Sequence, residues 1–278
     1  MTLKQEKQIP SVIFVLMLFI VVLYLLPLGM MILNSVKNYD EIMKNVLALP
    51  GHFSLKNFAV VFQDMNYPLT FFNTFVVTLI GTAGIVIFGS MAGYKMARVK
   101  TRYSRLTFLY CIMPMMVPFQ SFMITLVVIA KAFHLTNNVP GLGIIYWGLG
   151  IPMALFLYQG FAKTIPYELE ESALMEGCSQ PRLFMQIIFP LLKSVTASVI
   201  VVNAMWIWND FLLPLLVIGG SREKKTLQLA AYTFMGQYKS EWQNIMAAAI
   251  LIIIPALVIY LIFQKNIIKG LVAGAVKG

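Results

Sequence analysis

Side chains that could do covalent or metal chemistry are few and scattered in this sequence. The two histidines, His52 and His134, lie far apart, while Cys111 falls in an apolar run and Cys178 in a polar loop. No metal-ligand spacing, disulfide framework or Gly-x-x-x-x-Gly-Lys-Ser/Thr phosphate loop is present. The sequence therefore predicts no catalytic residue, no metal site and no cofactor or ATP site in this chain.

Acidic residues are rare and occupy two distinct settings. Asp210 lies inside a long apolar run, where an ionisable side chain costs about 2.5–3.5 kcal/mol on insertion scales. Glu168, Glu170 and Glu171 instead crowd a short polar loop that ends near Gly177. The first setting favours polar contacts within a membrane, and the second favours contact with another protein.

Composition indicates the environment in which these residues act. Of the 278 residues, 59% are hydrophobic and 12% are charged, and the mean hydropathy is +0.80. Because soluble domains carry about 25% charged residues, this composition excludes an ordinary soluble enzyme and predicts a polytopic protein of the lipid bilayer. The net charge of +10 does not indicate nucleic acid as a partner, since the basic residues stand in short clusters between apolar runs.

Six segments are long enough for a helix to cross a bilayer, which takes about 20 mainly apolar residues. They are residues 11–35, 69–94, 106–130, 139–161, 194–218 and 242–263. Prolines 114, 118, 152, 214 and 255 interrupt the last four of them and predict kinks. We expect an all-α integral membrane protein with a terminal segment 1–10, an outer segment 36–68, a helical core 69–264 and a tail 265–278.

The distribution of basic residues predicts the orientation of these spans. Thirteen of the Lys and Arg residues fall on one side of the predicted membrane and eight on the other. The loop at residues 95–105 holds five of them and no acid. Since Lys and Arg are retained on the cytoplasmic side, both termini and the loop at residues 161–193 are predicted to be cytoplasmic.

The acidic loop at residues 161–193 has the local signals of a short helix. Pro166 suits a first helical turn, and the glutamates that follow favour the positive end of the helix dipole. Gly177 can adopt the left-handed conformation that ends a helix, and a second helix is expected from after Ser179 to Phe189. Such a helix could be bound by another protein. Alternatively, it could be an ordinary amphipathic connection whose apolar face, Leu169, Ala173 and Leu174, packs on the bundle.

Spacing within this loop resembles a known family. Glu171-Ser172-Ala173 is followed by Gly177 and, after nine intervening residues, by Ile187 and then Phe189-Pro190. This pattern is similar to the Glu-Ala-Ala loop of permease subunits in ATP-binding-cassette importers, with Ser172 in place of Ala and Phe189 in place of Leu. In that family the loop is a coupling helix seated on the ATPase. The resemblance implies that the ATPase-coupling residues are Glu170, Glu171, Ser172, Ala173, Leu174, Glu176 and Gly177.

The resemblance extends over most of the chain. The run from Trp208 to Pro214, the stretch from Thr226-Leu227 through Gly236-Gln237-Tyr238, and the ending 270–278 are similar to the smaller permease of carbohydrate importers, the maltose-type MalG branch. This implies a MalF-like second permease, two ATPase subunits that carry ATP and Mg²⁺, and an extracytoplasmic solute-binding protein. It further implies a bacterial inner-membrane location and a di- or oligosaccharide substrate.

The fifth predicted span carries a polar set for which two roles are considered. Asn203, Trp206 and Asp210 are spaced at i, i+3 and i+7, and Asn209 adjoins them. These residues could line a translocation path for sugar. Alternatively, Asp210 could cap carbonyls freed by Pro214 or bridge to the partner permease, and a position toward the outer leaflet favours such a structural role.

Two further predictions concern the outer loop and the C-terminal tail. Tyr232, Phe234, Gln237 and Tyr238 lie in the outer loop, where aromatic residues suit a membrane-interface belt, and the resemblance implies contact with the binding protein. Glycines 270, 274 and 278 recur in the tail, which is either a flexible end or, by resemblance, an insertion along the ATPase dimer.

These observations favour an alternating-access sugar permease driven by separate ATPase subunits over two rivals. An ion-coupled secondary transporter needs titratable or ion-coordinating groups near the membrane midplane, and Asp210 alone is a thin basis for that. A membrane-embedded enzyme needs a cluster of His, Cys or carboxylate side chains within the spans, which the sequence lacks.

Overall fold

The computed structural model describes residues 11–236 and 240–275. Within these ranges the secondary structure is helical throughout, with no strand. The helices are α1 Ser11–Ser35, α2 Tyr39–Lys44, α3 Lys56–Asp64, α4 Tyr67–Arg98, α5 Arg102–Ile112, α6 Met123–Ala132, α7 Val139–Ala162, α8 Glu168–Met175, α9 Gln180–Leu183, α10 Phe189–Leu191, α11 Lys193–Asn209, α12 Leu212–Ile218, α13 Leu227–Ala231 and α14 Trp242–Ala275.

Three of the helices pass a length and hydropathy test for crossing a membrane. They are Val12–Ser35, Tyr67–Arg98 and Val139–Ala162. A fourth candidate is a bent pair, Gln180–Leu191 with Lys193–Asn209, whose parts meet at 77°. Met123–Ala132 and Trp242–Val258 are shorter apolar helices. The described residues thus give three spans, or four if the bent pair counts as one.

The third predicted span differs most from expectation. A single kinked helix over residues 106–130 is wrong, because α5 and α6 are separated by two 3₁₀ turns, Met113–Met116 and Phe119–Ser121. Pro114 and Pro118 account for the break, since each lacks a backbone N–H and disfavours helix in the residue before it. Two prolines four residues apart therefore interrupt the helix rather than bend it.

The fifth predicted span is also divided, at Asp210. Helix α11 ends at Asn209, Asp210 is extended with φ −74° and ψ 133°, and α12 begins at Leu212. A proline ring clashes with the carbonyl of the residue four positions earlier, and for Pro214 that residue is Asp210. The extended backbone at Asp210 avoids this clash, so the kink predicted from Pro214 is a break.

The remaining long helices follow the predicted segments with shifted ends. Helix α4 runs past the predicted end at residue 94 and finishes with Lys95 and Arg98, which favour the negative end of the helix dipole. Helix α7 begins after Asn138, whose side-chain oxygen accepts the N–H of Gly141 at 3.3 Å. Helix α14 continues through Pro255 into the tail as far as Ala275, so residues 270–275 are helical.

The chain divides into two compact units. One comprises residues 1–66 and 231–253, and the other residues 67–230 and 254–278. In the first unit, the Lys37 side chain is 1% exposed and its ammonium donates to Asn34 Oδ1 at 3.0 Å and to the carbonyls of Asn45 and Val46 at 3.3 and 3.2 Å. Asn57 donates to the carbonyls of Ser35 and Lys37. These bonds hold the segment after α1 against α3.

In the second unit, α4 and α7 pack closely through small residues. A Cβ at Gly84 would lie 2.0 Å from Trp147 Nε1, and one at Gly93 would lie 2.6 Å from Tyr158 Cβ. The indole of Trp147 donates to the Ile80 carbonyl at 2.8 Å. Small residues at such crossings let two membrane helices approach, and dispersion and hydrogen bonds then hold them together.

Helix α11 packs against the same pair of helices and completes the core of this unit. The Tyr158 hydroxyl of α7 donates to Thr196 Oγ1 of α11 at 3.0 Å. Apolar side chains of all three helices are buried together, among them Ile85, Ala154 and Val199. This three-helix core carries the loop described next.

Candidate functional site

The acidic loop folds into a short helix with defined ends. Helix α8 has Glu168, Glu170 and Glu171 in its first turn, where negative side chains stabilise the positive end of the helix dipole. Gly177 follows with φ +82°, the left-handed conformation predicted for it. Its N–H donates to Leu174 O, and the next N–H donates to Ala173 O. This pair of bonds is a Schellman motif, which ends the helix with its last carbonyls satisfied.

One glutamate of the first turn points inward rather than to solvent. The Glu170 side chain is buried, with one carboxylate oxygen 2.5 Å from Arg98 Nε and the other 2.8 Å from the Tyr94 hydroxyl. Arg98 Nη2 also donates to the Ile165 carbonyl at 3.0 Å. A hydrogen-bonded carboxylate and guanidinium are among the stronger pairs in proteins. Glu170 therefore binds α8 to the end of α4.

Tyr167 also contacts this ion pair, through Arg98. Its hydroxyl donates to the Arg98 carbonyl at 2.9 Å, and the Arg98 guanidinium lies 4.5 Å from the centre of its ring. Lys100 Nζ lies 5.5 Å from that ring centre. Cation–π contacts of this kind add to the attraction between the end of α4 and the start of α8.

The opposite face of α8 is open. Glu171, Ser172 and Glu176 are exposed, as are the apolar side chains of Leu174 and Met175. The apolar face expected from Leu169, Ala173 and Leu174 is not the buried one, since only Ala173 is buried and Glu170 lies beside it. The buried stripe runs through residues 170 and 173 because Arg98 and Tyr94 supply partners for a carboxylate there.

The second half of the loop reverses into the core of the same unit. After α9, residues Phe184–Ile188 form a π-helical turn, and α10 ends at the bend at Leu192, two residues beyond Pro190. Leu183, Ile188 and Leu192 are fully buried. The helix predicted after Ser179 is therefore present, and the π turn within it was not predicted because no residue pattern marks it.

The polar set on the fifth span separates into buried and exposed members. Asn203 is 3% exposed and donates to the Val199 carbonyl at 2.8 Å. Trp206 is 41% exposed and packs edge-on against Tyr146, while Asn209 is exposed. The three residues therefore do not share one surface.

Asp210 is engaged within the chain. One carboxylate oxygen accepts the Tyr146 hydroxyl at 2.7 Å, and the other accepts the N–H of Leu212 at 3.0 Å. Its partners are one donor on α7 and one at the start of α12. They are not the carbonyls freed by Pro214, because a carboxylate can only accept. Asp210 thus joins the helix break to α7.

The aromatic set of the outer loop is only partly described. Tyr232 is 49% exposed, whereas Phe234 is 5% exposed. Gln237 and Tyr238 lie outside the described residues. An exposed Tyr232 is compatible with either a membrane belt or a protein contact.

Comparison with known proteins places this arrangement in a family. Residues 85–272 match the family described as "Binding-protein-dependent transport system inner membrane component". That stretch is more than half of the chain and includes both α8 and the Asp210 break. The chain belongs to this family.

Relatives within this permease family align over nearly the whole chain. The AmyC protein of Thermoanaerobacterium thermosulfurigenes, named as a probable starch degradation products transport system permease, is 38% identical over 92% of each chain. MsmG of Streptococcus mutans, named as a multiple sugar-binding transport system permease, is 36% identical over 92% of this chain and 93% of its own.

A solved structure has the same fold. A chain of a bacterial ABC transporter involved in import of the polysaccharide alginate superimposes with a TM-score of 0.79, covering 95% of this chain and 98% of its own at 19% identity. The all-helical permease fold predicted from the sequence is confirmed at this level.

Sequence reasoning missed Arg98, Tyr94 and Tyr146 as members of these sites. In the sequence, Arg98 contributes only to the basic loop that indicates orientation, although Tyr94 and Arg98 stand four residues apart and so share one face of a helix. That spacing was the available signal for a polar partner at the end of α4. Tyr146 carries no comparable signal, since it stands in an apolar run.

Proposed function

We infer that this protein is the membrane-spanning permease subunit of an ATP-driven, binding-protein-dependent importer of di- or oligosaccharides. The observation that carries this inference is membership of the permease family together with near full-length similarity to sugar-transport permeases. The chain itself is not an enzyme, and ATP hydrolysis takes place on partner subunits. Its partners are a second, MalF-like permease, two ATPase subunits and an extracytoplasmic solute-binding protein.

We propose the bacterial inner membrane as the location, six spans, and both termini in the cytoplasm. The basic loop at residues 95–105 supports this orientation because positive residues are retained inside. Counting six spans requires α5 with α6, α11 with α12, and the apolar part of α14 each to cross the membrane. Their combined lengths are compatible with that assignment.

The exposed face of α8 is our candidate for the ATPase contact. Glu171, Leu174 and Met175 are exposed on a helix that begins at Glu168, two residues after Pro166, and ends before Gly177. Exposed apolar side chains beside charged ones are typical of protein interfaces. Movement of the ATPase subunits would then displace α8 and drive the permease between outward-open and inward-open states.

Roles for the remaining predicted residues follow from their exposure. Trp206 and Asn209 are exposed and are our candidates for the translocation path or the interface with the second permease. Tyr232 is our candidate for binding-protein contact. Asn203 and Asp210 are engaged by hydrogen bonds within the chain, and for Asp210 this does not favour the ion-coupled alternative.

A charge reversal at Glu171 tests this function. The importer is assembled with its partner permease, ATPase and binding protein, and sugar uptake into proteoliposomes is measured with ATP. We expect Glu171→Lys to reduce both uptake and co-purification of the ATPase, because it places a positive charge on the proposed contact face. Glu223→Lys is the matched control for ATPase co-purification, which it should leave unchanged, since Glu223 is also exposed but lies in the loop assigned to the outer side.

Two results would contradict the inference. One is ATP-independent uptake by this chain alone in liposomes. The other is an unchanged level of bound ATPase in Glu171→Lys, which would remove the contact assigned to α8.

A further inference from the structure

The contacts of Glu170 form a closed polar cluster between α8 and α4, which we call the Arg98–Glu170 link. Its members are Tyr94 and Arg98 on α4, the Ile165 carbonyl and Tyr167 in the connecting turn, and Glu170 on α8. Both Glu170 and the Arg98 side chain are nearly inaccessible to solvent, at 8% and 9% exposure. Each carboxylate oxygen has its own donor, so the charge is fully paired.

An ordinary connection would rest on apolar side chains, and α8 does not. Leu169 and Leu174 face outward, and Ala173 is the buried apolar side chain of the helix. Buried ion pairs seldom stabilise a protein more than an apolar pair of similar volume, but in some proteins they fix one specific geometry. The composition of this contact therefore favours a positioning role over a purely stabilising one.

The geometry of the link restricts α8 in more than one direction. The carboxylate is held by donors of two different side chains, Arg98 and Tyr94, which stand one helical turn apart on α4. The guanidinium is fixed in turn by the Ile165 carbonyl and by the Tyr167 ring. Because these contacts hold both ends of the ion pair, α8 can neither slide nor rotate without moving the end of α4.

Helix α4 is in turn tightly packed in the core of its unit. At Gly93 a Cβ would meet the backbone oxygen of Leu155 at 3.0 Å, and at Gly89 one would meet Ala154 Cβ at 2.8 Å. Tyr158 then joins α7 to α11 through Thr196. A displacement of α4 therefore has to be followed by α7, since interiors packed this closely are not compressible.

We propose that Glu170 is a positioning residue that transmits displacement of α8 to α4 through Arg98, and so to the bundle. This rests on the proposed function, in which the ATPase displaces α8. Glu170 and Glu171 thereby have separate roles: Glu171 faces the partner subunit and determines whether the ATPase binds, whereas Glu170 determines whether its movement reaches the spans.

The test measures ATP hydrolysis and sugar uptake together in the fully assembled importer in proteoliposomes. We expect Glu170→Gln and Arg98→Lys to retain the bound ATPase and near-normal hydrolysis. Sugar transported per ATP hydrolysed should fall by at least about fivefold, the low end of measured couplings between sites. Gln and Lys keep the volume and some of the hydrogen bonds, so these variants are suited to remain folded.

A charge exchange, Glu170→Arg with Arg98→Glu, distinguishes a link from a merely structural contact. Glu170→Arg and Arg98→Glu alone should each lower the ratio of sugar transported to ATP hydrolysed. We expect the double variant to recover part of that ratio. Glu171→Gln is the matched control on the neighbouring residue, and it should change ATPase retention rather than the ratio.

Three results would overturn the proposal. One is an unchanged transport ratio in both Glu170→Gln and Arg98→Lys. Another is loss of bound ATPase in Glu170→Gln equal to that in Glu171→Gln, which would make residue 170 part of the docking face. The third is no recovery in the charge exchange. Failure of the proposed function would appear separately, as absence of ATP-dependent uptake in the unaltered complex.

Discussion

The contact between Gly84 and Trp147 gives the sharpest test of the packing in the core. A Cβ at position 84 would lie 2.0 and 2.1 Å from Nε1 and Cε2 of the indole. Non-bonded heavy atoms separate by about 3.5 Å at best contact, so in Gly84→Ala the indole has to shift by about 1.5 Å. Such a shift breaks the 2.8 Å bond from Trp147 to the Ile80 carbonyl.

The magnitude of the loss follows from these two effects. Overpacking a dense core costs about 1–3 kcal/mol, and an interhelical hydrogen bond in a membrane protein contributes about 0.6–2 kcal/mol. Alanine favours the helix over glycine by about 1 kcal/mol, which offsets part of the sum. We therefore expect Gly84→Ala to destabilise the protein by about 0.6–4 kcal/mol.

Thermal unfolding of the purified protein in detergent measures this effect. Gly148→Ala is the matched control on α7, since a Cβ there meets nothing within 4 Å and should leave the midpoint unchanged or raise it. In a Trp147→Ala background, Gly84→Ala should lose most of its effect, because the obstructing indole is gone. Equal midpoints for the two alanine variants, or an undiminished loss without the indole, would refute the reasoning.

Three further substitutions have defined outcomes. Tyr146→Phe removes the hydroxyl that binds Asp210 and should lower the thermal midpoint by the equivalent of about 0.6–1.7 kcal/mol; an unchanged midpoint would contradict this. Lys37→Met leaves the buried carbonyls of Asn45 and Val46 without their donor, which should lower the stability of this segment by about 1–3 kcal/mol. Chymotryptic cleavage within residues 36–66 should therefore become faster. An unchanged cleavage rate would contradict the idea that Lys37 holds the segment in place. Gly177→Val forces a branched side chain into φ +82° and should reduce ATPase co-purification. Gly160→Val should not, since Gly160 has no positive φ and a Cβ there meets nothing within 4 Å.

The long helices were predictable because one strong physical signal determines them. Twenty or more apolar residues without charge can satisfy their backbone in a bilayer only as helix, and α1, α4 and α7 follow such runs closely. The breaks were less predictable. Prolines 114, 118, 152, 214 and 255 look alike in sequence, yet the first two and Pro214 adjoin interruptions while Pro152 and Pro255 lie inside continuous helices.

The helix that ends at Gly177 could be predicted, but its buried partner could not. Glutamates in a first turn read as solvent-exposed, and nothing local separates Glu170 from Glu171. Arg98 stands 72 residues earlier in the chain, so the pair arises from tertiary packing. Lys37 is a similar case, because its acceptors include backbone carbonyls eight and nine residues away, which no side-chain pattern reveals.

The bend at Leu192 joins the end of the loop and the first part of the fifth span as the two arms of an angled lever. The shorter arm, Gln180–Leu191, is about 18 Å long and the longer, Lys193–Asn209, about 25 Å, and they meet at 77°. If the two arms rotate together about the bend, the far end of the long arm moves about 1.4 times as far as the free end of the short arm. The pivot is stiff, since Leu192 is fully buried and its N–H is bonded to both Ile188 and Phe189. Under the proposed function, a small displacement of the short arm would become a larger displacement of the long arm in a different direction.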